Sequence, residues 1–132
     1  MPAYLWVALG GALGSVSRYW LGGVIADKFG ATFPLGTLAI NVTGSFLIGL
    51  FAALNLSEGR AYASPGFRQF FMVGICGGYT TFSTFSLETL NLARDGQILY
   101  AGGNILFSVT LCLVAVWLGF ALGSLFNPMK GN

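Results

Sequence analysis

The stretch Gly74-Ile75-Cys76-Gly77-Gly78-Tyr79-Thr80-Thr81-Phe82-Ser83-Thr84-Phe85-Ser86-Leu87-Glu88 decides how this chain is read. It lies in an apolar run over residues 69–93 whose only charge is Glu88, and about 20 apolar residues suffice for a helix to cross a bilayer core. Yet the middle of the run is a poor helix, because paired glycines followed by two β-branched threonines have low helix propensity. The sequence predicts a membrane span broken at its centre, near Gly77–Thr80. Irregular backbone at membrane depth is tolerated only inside protein or beside a cavity, and carbonyls freed there can coordinate a small cation. A continuous but flexible helix is the competing expectation. Beyond the break, Phe82 and Phe85 share one helical face, while Thr81, Thr84 and Glu88 share an adjacent one. Ring edges carry partial positive charge, so Phe edges beside hydroxyls would favour an anion without offering it a full charge. Simple packing of both rings against helices or lipid is the alternative.

Three further apolar runs flank this one. Residues 3–25 are interrupted by Arg18, and residues 35–55 and 98–126 contain no charge. The connections are polar and turn-rich: Asp27-Lys28-Phe29-Gly30 with Pro34, Ser57-Glu58-Gly59-Arg60 through Pro65-Gly66, and Arg94-Asp95-Gly96. The composition agrees. Of 132 residues 55% are apolar and 8% charged, the mean hydropathy is +0.77, and a soluble domain carries about 25% charged residues. The expected fold is an all-α integral membrane protein with four transmembrane helices in one domain, residues 1–132. Such a chain is too small to enclose a transport pathway comfortably by itself. The first run has no Lys or Arg before it, so it reads as a retained span, not a secretory signal.

Several function classes drop out. A net charge of +2 with scattered cations argues against nucleic acid, and no nucleotide-binding loop is present. There is no His, which removes the commonest general base and metal ligand; no nucleophile–base pair can be assembled, so an enzyme is not expected. Cys76 and Cys112 lack metal-ligand spacing.

The polar residues inside the spans must carry the function, because burying them costs free energy. Thr37, Asn41 and Ser45 form one stripe at four-residue spacing, and Asn104, Ser108 and Cys112 form another. These are either a wet path or an interhelical hydrogen-bond seam. Asn amides and Ser or Thr hydroxyls can replace part of an anion's hydration shell. Arg18 lies on the order of 10 Å below the end of its span by helical rise, where it either snorkels to the interface or draws anions into a vestibule. Small residues four apart, Gly10 and Gly14, Gly11 and Ser15, and Gly119 and Gly123, suit close helix contact. With four spans, Arg60, Arg68 and Lys130 fall on one side and Lys28 and Arg94 on the other. So small a bias means that orientation is fixed by something else, or that the chain inserts both ways. The second case allows an antiparallel, dual-topology homodimer.

Taken together, Gly11-Ala12-Leu13-Gly14 with Arg18-Tyr19, Gly36-Thr37-Leu38 with Asn41 and Gly44-Ser45-Phe46, and Gly77-Gly78-Tyr79-Thr80-Thr81-Phe82-Ser83-Thr84-Phe85 with Glu88 resemble the Fluc (CrcB-type) fluoride channel family. The resemblance covers nearly the whole chain, and the segment after the double glycine is its most specific part. It implies a dual-topology homodimer with two fluoride pores in the cell inner membrane and a central structural sodium ion. It further implies that the carbonyls of Gly77 and Thr80 hold that sodium, that Phe82 and Phe85 line the pores by their ring edges, and that Asn41 donates to fluoride. The polar track of the family's fourth span maps onto Asn104, Ser108 and Cys112, with Arg18, Thr37, Thr81, Ser83, Thr84 and Glu88 in supporting roles. The function implied is passive export of fluoride, protecting a microbial cytoplasm. Two other readings compete: a small four-helix proton-coupled multidrug exporter, which needs a carboxylate in the first span where this chain has only Arg18, and a non-transporting membrane assembly subunit.

Overall fold

The protein was analysed as a computed structural model describing residues 2–56 and 63–126. Helix α1 runs Ala3–Phe29 and α2 runs Leu35–Leu54. Helix α3 covers residues 65–79, beginning as Pro65–Arg68, widening to a π-helix over Gln69–Cys76 and closing with Gly77–Tyr79. Helix α4 is Phe82–Arg94 and α5 is Ile98–Phe126. Among the described residues there is no strand.

Local chemistry sets the boundaries. Ser64 accepts a hydrogen bond from the Phe67 N–H at 3.2 Å and Pro65 occupies the first turn, where a missing N–H costs nothing. The third span therefore starts four residues before the apolar run 69–93, and the expected loop residues Pro65-Gly66 are helical. Likewise α1 does not stop at the polar Asp27-Lys28 but continues to Phe29 and closes at Gly30, whose φ is +83°. The turn after Arg94 forms as the sequence suggests: Gly96 has φ +81°, and the N–H groups of Gly96 and Gln97 donate to Ala93 O and Leu92 O at 3.1 and 2.8 Å, the double closure of a Schellman motif.

Among the described residues, three helical segments are long and apolar enough to cross a membrane: Leu35–Leu54, Pro65–Arg94 and Ile98–Phe126. The molecule is an all-helical, multi-pass membrane protein. Helix α1, at 27 residues, has the length but is diluted by Arg18, its glycines and its Trp and Tyr residues. Large apolar side chains point outward, among them Leu99, Leu113, Trp117 and Leu125, while the buried set is made of small or single residues such as Ile40, Ala53, Cys76 and Ala115. In water that arrangement would be unstable; in lipid the outward face is already solvated. Of the flanking charges, Arg60 and Lys130 lie outside the described residues.

Backbone contact between helices holds the bundle. A Cβ at Gly10 or Gly14 would run into the carbonyls of Phe70 or Ile75 on α3, and one at Gly49 or Gly119 would run into those of Val116 or Phe46, where α2 meets α5. A Cβ at Gly123 would lie 2.7 Å from that of Ala53. These two small-residue pairs thus mark real interfaces. So does the third: Gly11 would direct its own Cβ into open space, but a Cβ at Gly78 on α3 would lie 2.8 Å from Gly11 O and 3.1 Å from Ser15 Oγ.

Candidate functional site

The third span is interrupted at Thr80 and Thr81, the centre of residues 65–94 and at the C-terminal edge of the expected break. Thr80 has φ −83°, ψ 156° and Thr81 φ −150°, ψ 112°, extended conformations that suit β-branched residues. The helix reaches Tyr79 despite the paired glycines, and the threonines end it. Several groups at the interruption are drawn into specific bonds. Thr80 donates both its N–H and its hydroxyl to Cys76 O, at 3.0 and 2.8 Å. Thr81 caps α4, its Oγ1 accepting from the Thr84 N–H at 3.1 Å. Asn41 on α2 clamps the Thr81 backbone from both ends. Its Oδ1 accepts from the Thr81 N–H at 2.8 Å and its Nδ2 donates to Thr81 O at 3.1 Å.

These bonds decide which carbonyls lose their helical partners. In an unbroken helix Thr81 N–H would donate to Gly77 O and Thr84 N–H to Thr80 O. Here Asn41 and the Thr81 hydroxyl take those two donors. The carbonyls of Gly77 and Thr80 are therefore among those that lose their helical partners. Gly78 O, by contrast, accepts from Arg18 Nε at 3.1 Å, which places a cation at the C-terminal, negative end of α3.

Two cavities flank the interruption and share Thr81 as a wall. The first, of about 400 Å³, is lined by Asn41, Gly77, Thr80 and Thr81 from the break. Phe82, Phe85, Ser108 and Cys112 complete it, with Ser45 beside them. The Phe82 and Phe85 rings lie 5.3 Å apart at 49°. Phe85 is buried, whereas Phe82 is 76% exposed. The second cavity, of about 390 Å³, is lined by Arg18, Thr37, Thr84 and Glu88. There Thr37 lies against the Glu88 carboxylate, and Glu88 Oε1 is buried with no hydrogen-bond partner. Arg18 does more than snorkel: it lines this cavity while bonding the broken span. Asn41 commits one of its two N–H donors to Thr81, leaving the other for the cavity it lines.

Two expected site residues line neither cavity. Ser83 is exposed, its hydroxyl 3.3 Å from that of Thr81. Asn104 is 1% exposed; it accepts from Ser108 Oγ at 3.3 Å and donates to Thr89 Oγ1 at 2.9 Å. Thr89 in turn donates to Phe85 O at 2.8 Å. The sequence reading missed Thr89. Its bond to Phe85 follows from four-residue spacing, but nothing in the sequence pairs it with Asn104. The 2.8 Å contact between the Thr43 and Tyr79 hydroxyls, which ties α2 to the end of α3, was missed for the same reason. Among the described residues no cluster of three or more His, Cys, Asp or Glu side chains could hold a metal.

The family model described as CrcB-like protein, Camphor Resistance (CrcB), matches residues 5–120. A protein of Opitutus terrae named fluoride-specific ion channel FluC is 55% identical over 132 residues, covering 100% of both chains. Relatives of the same name from Methylocella silvestris and Rhodospirillum rubrum are 53% and 57% identical, covering 97% and 94% of this chain and 98% and 96% of theirs. The broken span with its clamp and flanking cavities is set within the matched region, and the chain belongs to the CrcB-like family.

Proposed function

We propose that this protein is a subunit of a fluoride-selective channel, not an enzyme, and that it lets fluoride leave the cytoplasm passively across the inner membrane. The observation that carries the reading is the span interrupted at Thr80–Thr81, held by Asn41, with one cavity on each side of Thr81. The names of the relatives supply the ion. In this reading α1 is a fourth crossing, because its part-buried cation bonds Gly78 O within the protein.

Dehydration is the main barrier for a small, strongly hydrated anion. The cavity offers the free Asn41 N–H, the Thr81 hydroxyl and the edges of Phe82 and Phe85, donors with no full positive charge that would trap the ion. Arg18 in the second cavity supplies an attractive potential at the entrance. Two copies pair head to tail, covering Phe82 and providing two pores. Sodium on the dimer axis fits the residues present, since Gly77 and Thr80 offer carbonyls released from helical bonding and hard cations take oxygen ligands. The ion would fix the two breaks against each other.

The test is a fluoride-electrode measurement of efflux from proteoliposomes, with chloride efflux in parallel. Fluoride should leave far faster than chloride and far faster than from empty vesicles. Efflux no faster than from empty vesicles would refute the proposal.

A further inference from the structure

Ser108 lines the first cavity, yet its proton points away from it. Asn104 Oδ1 can only accept, so the 3.3 Å contact has Ser108 as donor. The chain of bonds behind it is directional throughout. Thr89 gives its proton to Phe85 O, so it turns lone pairs towards Asn104 and selects the NH₂ end of the amide. That leaves the amide oxygen facing Ser108, which must donate to it. The cavity therefore meets the oxygen lone pairs of Ser108, which repel an anion.

The opposite polarity needs three linked moves. If the Asn104 amide turns over, Nδ2 donates to Ser108 Oγ and frees the serine proton for the cavity. Oδ1 then faces Thr89, whose proton leaves Phe85 O to meet it. Every group stays bonded except Phe85 O, which remains in a helix. Rotating Ser108 alone would instead leave Asn104 Oδ1 without a donor at a site 1% exposed, and an unsatisfied buried acceptor is costly. The Ser108–Asn104 link is the longest of the three.

We propose that Asn104 and Thr89 are positioning residues that set whether Ser108 presents an acceptor or a donor to the cavity. This inference rests on the channel reading for its consequence but not for its geometry. Turning the relay adds to the barrier at Ser108, so removing the amide should ease passage. In proteoliposomes, Asn104→Leu should raise fluoride efflux roughly three- to tenfold, the effect of about one hydrogen bond. Combined with Ser108→Ala the gain should vanish, the double variant matching Ser108→Ala alone. Equal fractional changes with and without Ser108, or a fall in efflux for Asn104→Leu, would overturn the proposal. Thr89→Val is a second variant should Asn104→Leu fail to fold; it should raise efflux only while Ser108 is present, and a Ser108-independent effect would count against the relay.

A further readout needs no flux. With ¹⁵N-asparagine labelling in bilayers, Ser108→Ala and Thr89→Val should each shift the Asn104 side-chain resonance and leave that of Asn41 in place. An unmoved Asn104 resonance overturns the relay even in a conducting channel. A wild type that passes no fluoride while the resonances shift as expected overturns only the channel reading.

Discussion

Replacing Asn41 by Leu keeps side-chain size but removes both bonds to the Thr81 backbone, at 2.8 and 3.1 Å. Thr81 N–H and C=O would then be unpaired within a membrane span. A buried group left without its partner costs about 1–3 kcal/mol, so an unrelaxed break would lose roughly 2–6 kcal/mol. Polar side-chain pairs between membrane helices average only about 0.6 kcal/mol, because the reference state finds other partners. One such partner exists here. If the span re-forms as continuous helix, Thr81 N–H returns to Gly77 O, and the larger loss is avoided. The expected cost is therefore near the lower limit, about 2 kcal/mol, but the Gly77 carbonyl is withdrawn and the cavity wall at Thr81 shifts. Asn41→Leu should lower the melting temperature in detergent by several degrees and reduce fluoride efflux to the level of empty vesicles. Asn41→Asp separates the two roles. An ionised Asp keeps an acceptor for Thr81 N–H and so should cost less stability than Leu. It also places a negative charge on the cavity; at about 4 Å and an effective dielectric near 20, repulsion of an anion is about 4 kcal/mol, roughly a thousandfold. The combination expected is a mild stability loss with abolished efflux. If Asn41→Leu melted with the wild type and conducted normally, Asn41 would not be the clamp that the geometry makes it.

Replacing Phe82 by Ile should depress fluoride efflux with little effect on packing within the single chain, where the ring is 76% exposed; unchanged efflux would remove the ring-edge argument. Phe85→Ile should depress efflux and also destabilise, by about 1–2 kcal/mol, because that ring is buried. Gly14→Leu should prevent α1 from seating, as even a Cβ there meets Ile75 O, whereas Gly11→Ala, facing open space, should stay within about 0.5 kcal/mol of wild type; yields of folded protein and melting curves test the pair, and equal behaviour would argue against backbone contact at Gly14. Exchanging sodium for a large organic cation on both sides of the vesicle should silence efflux and its return should restore it, if the carbonyls of Gly77 and Thr80 hold that ion.

The membrane class and the interruption were legible because both are local. Charge depletion is read from composition, and a pair of threonines after a pair of glycines weakens a helix whatever surrounds it. The exact residue of the break was not legible in the same way: propensity marked Gly77 to Thr80 as a whole, but glycine in a helix costs only about 1 kcal/mol, which the close packing of Gly78 on Gly11 allows. Thr80 and Thr81 break the span because Asn41, forty residues away in sequence, takes the Thr81 donor, and no spacing rule reaches that far. The stripes Thr37-Asn41-Ser45 and Asn104-Ser108-Cys112 were visible as four-residue spacing, yet their members have different tasks. Asn41 holds backbone, Ser108 and Cys112 line the first cavity, Thr37 lies in the second with Glu88, and Asn104 is sealed behind Ser108. Which face of a helix is polar is a one-dimensional property, but whether a given amide meets a cavity or another helix depends on the rotation of α5 against α4. That rotation is set by glycine contacts of α5 with α2 at Gly49 and Gly119, which carry no polar group. The packing glycines thus fix the position of the polar track without touching it, so a bulky residue at Gly119 should damage the pathway through α5 orientation even though it leaves every cavity side chain in the sequence unchanged.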